Sequence, residues 1–220
     1  MAAHRLFSPS DTMSNSAGDI PEIALSEAIG KTKGIQPWRR VFHATNGTLV
    51  VLALTVFGLE VPIAVVILGV LLAFALILDA LRLFDPKLNV LFFKAFSPLA
   101  SPREARKIAS STWYALSVFL VLLLFPKPYA MAGILVLAWA DPAASVVGQR
   151  WGKIPFLAGT VRGTTTFLFV ALCALLIFVP WKMALATAVV SALVEAAPTN
   201  LDDNLIVPIT VAGVLLLIGG

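Results

Sequence analysis

Cysteine is nearly absent. Cys173 is the only one, so no internal disulfide can form, and in the middle of an apolar run nothing favours its thiolate. It is expected to be inert packing. Charge is scarce as well: only 13% of residues are Asp, Glu, Lys or Arg, which excludes an ordinary soluble domain. No array of basic and aromatic residues forms a nucleic-acid surface, so RNA and DNA are not expected partners. The N-terminal MAAHRLFSPSD has no apolar core behind its basic residues and does not read as a secretory signal. Targeting then falls to the first spanning helix. The pattern GxxxxGK[ST] is missing, which excludes a P-loop.

Apolar residues are what the chain does have, at 59% of 220 positions. A helix needs about 20 mostly apolar residues to cross a hydrocarbon core of about 30 Å. Seven stretches qualify as candidates: Val41–Leu59, Val61–Leu78, Ser111–Phe125, Tyr129–Val147, Thr164–Val179, Met183–Ala197 and Leu205–Ile218. The expected fold is all-α, a polytopic membrane bundle of about seven helices. Residues 1–36 are polar and Ser/Gly-rich, a mostly unstructured tail in which PEIALSEAI can form a short helix on the membrane surface. Residues 37–220 form the membrane domain.

Seven crossings send alternate connections to opposite sides. Fourteen of the sixteen Lys and Arg residues then fall on one face: ahead of Val41, in Leu81–Ser110 and in Gly148–Gly163. Only Lys127 and Lys182 remain on the other. Positively charged connections stay cytoplasmic, so the N-terminus is expected inside and the C-terminus outside. The net charge of +4 thus reports topology.

Four polar constellations gather towards the cytoplasmic helix ends. In PWRRVFHATNG, Arg39, His43 and Asn46 share one helical face, with Arg40 and Gly47 on the neighbouring strip. Two guanidiniums beside an imidazole and an amide can grip a polyphosphate; the competing reading makes the arginines interfacial anchors. In WADPAASVVGQRWGK, Asp141 follows a greasy run and precedes Pro142. Proline interrupts the helical ladder but suits the first position of a new helix, so the fourth segment is expected to break there with Asp141 as N-cap. Ser145 and Gly148 lie on the same face as Asp141, and an acid inside a membrane segment points to function. KIPFLAGTVRGTT carries Lys153 and Arg162 and can cradle phosphate, although alone it is an ordinary connector. In ALVEAAPTNLDDNLIVP, Glu195 lies within an apolar segment, and Asp202, Asp203 and Asn204 crowd the start of the next. Such hard oxygen ligands suit Mg²⁺, usually held by one or two carboxylates plus substrate phosphates; helix capping is the alternative.

Other polar residues read more plainly. Asp79 and Arg82 are expected to form a surface pair, and Glu104 with Arg103, Arg106 and Lys107 a solvated face near the site. Trp38, Trp113, Trp151 and Trp181 stand near segment ends, as an aromatic belt would.

Taken in order, these motifs resemble the CTP-dependent lipid-alcohol kinases, the family of phytol kinase, dolichol kinase and the yeast-type diacylglycerol kinase. The likeness lies in Arg39-Arg40-Val41-Phe42-His43 with Gly47, in Asp141-x-x-Ala144-x-x-x-Gly148 with Gly152, and in Asp202-Asp203-Asn204-Leu205-x-Val207-Pro208. It covers the chain from about residue 37 onwards. One stretch departs: where the family commonly has Lys-Ser/Thr-x-Glu-Gly-Ser, this chain has Gly159-Thr160-Val161-Arg162-Gly163-Thr164, without the lysine or the glutamate.

The resemblance implies transfer of the γ-phosphoryl group of CTP, or another nucleoside triphosphate, to the hydroxyl of a membrane-dissolved lipid alcohol, an isoprenoid such as phytol or a dolichol ahead of a diacylglycerol. It implies Mg²⁺ as cofactor, with Asp202, Asp203, Asn204 and Glu195 around it. Phosphate binding would fall to Arg39, Arg40, Asn46, Gly47, Ser145, Gly148, Lys153 and Arg162. Asp141 would bind metal or accept the alcohol's proton, with His43 as the other candidate base. The rival readings are a cytidylyltransferase, whose long Lys-Arg to Asp-Arg signature is missing, and a small transporter, which internal symmetry would favour and the sequence lacks.

Overall fold

The computed structural model describes residues 16–32, 34, 36–199 and 201–219. Within them the chain is helical apart from one two-stranded hairpin. The helices are α1 (Ser16–Gly30), α2 (Pro37–Thr55), α3 (Val61–Phe84), α4 (Pro86–Ala95), α5 (Ser110–Leu124), α6 (Lys127–Trp151), α7 (Val161–Leu175), α8 (Trp181–Ala196) and α9 (Asp203–Gly219). A 3-10 turn, Pro102–Arg106, precedes α5, and the strands β1 (Pro155–Phe156) and β2 (Gly159–Thr160) separate α6 from α7. Each of the seven apolar stretches is a helix. Two of them, α3 and α6, are long and apolar enough to cross a bilayer.

These two helices play opposite parts. Only 11% of the most apolar window of α3 is buried, against 67% for α6. Along α3, Val66, Val70, Phe74, Ile77 and Leu81 face outward, an apolar surface that water would not tolerate at this size and a hydrocarbon solvent would. α6 is the hub, where Ala130, Ala132, Ile134, Val136, Ala138 and Ala140 are fully enclosed. Small residues let neighbouring helices approach it closely. A Cβ at Gly133 would stand 2.7 Å from the Pro208 carbonyl oxygen of α9, and one at Gly47 of α2 would meet the Tyr114 hydroxyl and Ala138. On α8, Ala184, Ala188, Ala192 and Ala196 repeat every fourth residue and are all buried, one stripe turned inward.

The fourth apolar segment does not break at Pro142, contrary to the sequence reading. α6 runs unbroken from Lys127 to Trp151 with Pro142 buried inside it. Proline removes one N–H from the ladder, and close packing of the flanking turns retains the helix despite that loss. Asp141 is therefore an interior helical residue and not an N-cap.

The tail also differs from expectation. The short helix expected over PEIALSEAI extends back to Ser16 and lies against α4, with Ala28, Phe93 and Ala100 forming a small second core. Residues 1–15 fall outside the described part of the chain. Gln36, a left-handed residue ahead of α2, ties this layer together by donating from Nε2 to the carbonyls of Thr32 and Ala100, the latter at 3.0 Å.

Asp79 and Arg82 are no surface pair: α3 continues past Leu78 and carries both inward, 3% and 2% exposed. Arg82 Nε bonds Asp79 Oδ1 at 2.5 Å. Its other nitrogens donate to the carbonyls of Glu104 (2.9 Å) and Lys107 (2.7 Å). Asp79 Oδ2 accepts from the Ala109 amide (2.9 Å) and the Thr112 hydroxyl (2.6 Å). A buried charge pair persists where its remaining donors and acceptors are all matched, and here that matching pins the connection between α4 and α5. Cys173, expected to be packed, is exposed on the outer side of α7. Trp38, Trp151 and Trp181 are exposed at helix ends.

Candidate functional site

One end of the bundle holds a cavity of about 1110 Å³. Its walls come from the start of α2, the connection before α5, the C-terminal half of α6, the hairpin, the end of α8 and the start of α9. Three of the four sequence constellations converge there. Arg39, Arg40 and His43 arrive from α2, Asp141 and Ser145 from α6, and Glu195, Asp202, Asp203 and Asn204 from α8 and α9. Arg39, Arg40, Asp202 and Asp203 all stand close enough to Asp141 for their charges to act on it.

Local structure explains each placement. Pro37 opens α2, where its missing N–H costs nothing, so the arginines occupy the first turn. Arg40 Nη2 donates to Ser145 Oγ at 2.8 Å, stitching α2 to α6. Its Nη1 is buried without a partner among the described residues, as is Asn204 Oδ1. A buried guanidinium N–H with nothing to bond is costly unless an anion completes it. Arg39 lies 3.6 Å from Glu104. His43 is 6% exposed, its ring 4.8 Å from that of Tyr114, whose hydroxyl donates to the His43 carbonyl at 3.1 Å.

Asp202 takes the capping role that competed with metal binding: its Oδ1 accepts from the Asn204 amide (3.1 Å) and from Asn204 Nδ2 (2.7 Å). Asp203, Asp141 and Glu195 line the cavity without such a duty. Among the described residues no three acidic, histidine or cysteine side chains form a ready-made metal cage. The donor chemistry fits Mg²⁺ of the kind that relies on one or two carboxylates and fills its octahedron with phosphate oxygens and water.

Several expected phosphate binders lie elsewhere. Asn46 is off the cavity wall. Gly47 serves packing against Tyr114 and Ala138, and Gly148 approaches the hairpin, where a Cβ would stand 3.2 Å from Thr160 Oγ1. Lys153 and Arg162 are exposed and off the wall, Arg162 Nη1 donating to the Trp151 carbonyl at 2.9 Å. The connector between α6 and α7 is fastened at both ends. Thr160 caps α7 by accepting from the Gly163 amide (3.1 Å), and the Ala158 amide bonds the Ala196 carbonyl (2.9 Å), fastening the hairpin to the end of α8. Only Ala158 and Gly159 of this stretch reach the cavity.

Other residues replace them. Arg103 and Lys107 line the cavity from the α4–α5 connection, and Gln149 lies one turn beyond Ser145. Glu104, expected on a solvated face, is 5% exposed and accepts from the amides of Ser101 (3.2 Å) and Ser110 (3.3 Å), which turns its neighbours Arg103 and Lys107 towards the site. The only sequence signal was Ser101 followed three residues later by Glu104, an N-terminal pattern.

A polar cavity with four cations and four free or partly free acids at a helix-bundle end suits a polyphosphate and a divalent cation together. The chain's homologues are CTP-dependent diacylglycerol kinases and phytol kinases, the family that its motifs resemble. It is 29% identical over 162 residues to CTP-dependent diacylglycerol kinase 1 of Schizosaccharomyces pombe, covering 64% of this chain and 74% of that one. The Saccharomyces cerevisiae protein of the same name is 25% identical over 203 residues, covering 78% of this chain and 69% of that one. A phytol kinase of Synechocystis is 32% identical over 94 residues, covering 37% of this chain and 40% of that one. No family model matches the chain, and no solved structure does.

Proposed function

We propose that this chain is a membrane-embedded kinase that transfers the γ-phosphoryl group of CTP, or another nucleoside triphosphate, to the hydroxyl of a lipid alcohol. The observation that carries this reading is the convergence of Arg39, Arg40, Asp141 and Asp203 on one cavity from three helices distant in sequence. The names of its relatives support a lipid acceptor and CTP as donor. In this reading the seven apolar helices serve as seven crossings, and the excess of basic residues in the connections supports a cytoplasmic N-terminus and cavity. There a soluble nucleotide and a lipid can meet.

Phosphoryl transfer demands positioning and charge neutralisation more than covalent chemistry. Arg39, Arg40, Arg103 and Lys107 hold the phosphates. Asp203, with Asp202, Glu195 and Asn204 nearby, would hold Mg²⁺, which would neutralise phosphate charge. The alcohol oxygen attacks the γ-phosphorus as the bond to the β–γ bridging oxygen breaks. The nucleoside diphosphate leaves, and Asp141 takes the hydroxyl proton on its carboxylate. His43, enclosed against Tyr114, is the second candidate for that proton.

The test incubates the purified protein in nanodiscs with γ-labelled CTP or ATP, Mg²⁺ and phytol, farnesol, a polyprenol or diacylglycerol. Label is expected in a lipid phosphate, and Asp141→Asn is expected to abolish it while the protein keeps its melting profile. Full activity in that variant removes Asp141 from the mechanism, and label in none of the lipids overturns the kinase reading.

A further inference from the structure

Behind Arg39 and His43 lies a second cavity, of about 160 Å³, that shares a wall with the first. Arg39, His43 and Glu104 line both. On its far side the second cavity is hydrocarbon: Phe42 from α2, Ala75 and Leu78 from α3, Phe92 and Phe96 from α4 and its end, and Leu99. Its mouth is apolar too, since Phe42, Leu78 and Phe96 are 42%, 39% and 45% exposed, beside the outward-facing Phe74, Ile77 and Leu81 of α3.

We propose that this pocket receives the hydrocarbon chain of the acceptor alcohol, which enters from the bilayer face of α3 and presents its hydroxyl at the Arg39–His43 wall. The inference rests on the kinase reading and adds the class of acceptor. Away from the Arg39–His43 wall, the buried polar groups lining the pocket are already engaged. Asp79 bonds Arg82, Ala109 and Thr112, and Glu104 bonds two amides and faces Arg39. Ser111 is exposed. An ester carbonyl two or three atoms from the hydroxyl would meet Ala75, Leu78 and the phenylalanines and lose its hydrogen bonds to water without replacement. Hydrocarbon beside the hydroxyl loses nothing. The acceptor is therefore a single-chain, unesterified long alcohol, and diacylglycerol is disfavoured although relatives bear that name.

The experiment uses the full chain in nanodiscs and a long-chain alcohol carrying a photoreactive diazirine on its chain. Cross-links are expected at the residues lining the pocket, Phe42 and those between Ala75 and Thr112, and are expected to vanish in Ala75→Phe, which fills the pocket; Leu78→Phe, at an exposed position, serves if the first variant does not fold. In the transfer assay, both variants are expected to raise KM for the long alcohol by roughly tenfold or more while KM for CTP stays within about twofold. The unmodified protein is expected to favour the single-chain alcohol over diacylglycerol by a similar factor. Transfer with cross-links elsewhere, or preference for diacylglycerol, overturns the pocket assignment. Cross-links within the pocket with no transfer to any alcohol leave the chain site standing and overturn the kinase reading instead.

Discussion

Arg40 reaches across 105 residues of sequence to donate a 2.8 Å hydrogen bond to Ser145, one turn beyond Asp141. That contact ties the basic opening of α2 to the acid of α6, and it leaves the second terminal nitrogen of Arg40 buried and unpartnered among the described residues. Replacing Arg40 by alanine should raise KM for the nucleotide at least about tenfold, since hydrogen bonds to charged groups contribute about 1.5–3 kcal/mol. Ser145→Ala should change stability by only about 1 kcal/mol and the nucleotide KM by a few-fold. Steady-state kinetics on both variants check the contrast.

Cations that look alike in sequence should behave differently. Arg103→Ala and Lys107→Ala, on the cavity wall, are expected to weaken nucleotide binding several-fold. Lys153→Ala and Arg162→Ala, exposed and off the wall, are expected to change it by less than about twofold, within what surface substitutions usually do. Nucleotide titration of the four variants decides the matter.

The Asp79–Arg82 network should carry stability and not chemistry. Removing either side chain leaves a buried charge alone, at a cost of about 3–5 kcal/mol. It also releases the connection that holds Arg103 and Lys107. Asp79→Ala and Arg82→Ala are expected to melt well below the parent, as read by thermal unfolding in detergent.

Gly47→Ala tests packing against phosphate binding. The added methyl would collide with the Tyr114 hydroxyl and Ala138, so a loss of about 1–3 kcal/mol is expected. The fraction that folds should keep its nucleotide KM, whereas a phosphate-binding glycine would raise it.

Chelation should separate metal from fold. No preformed cage of three acidic or histidine side chains exists among the described residues. EDTA is therefore expected to stop transfer, reversibly with added Mg²⁺, while leaving the melting temperature within about a degree, because a metal that binds mainly through the nucleotide adds little linkage energy to the apoprotein. A large drop in melting temperature would reveal a structural metal.

Hydrophobic runs alone located the seven apolar helices, because a backbone of apolar side chains can satisfy its hydrogen bonds only within the helix, wherever its neighbours stand. The acids of α6, α8 and α9 and the arginines of α2 were legible for the same reason: a charge set in an apolar segment announces itself. Pro142 misled because a local rule for proline meets packing from α2, α7 and α9 that keeps α6 whole. Asp79, Arg82 and Glu104 misled because their hydrogen-bond partners lie up to 33 residues away, and a three-residue spacing in sequence says nothing of a carbonyl arriving from another connection. Which cations face the cavity, and which glycines merely let helices touch, depended on where each loop was fastened. Short-range pattern sets the elements, since backbone bonding and solvent transfer are local; the pocket's walls come from contacts between elements, and those exist only once the chain has closed on itself.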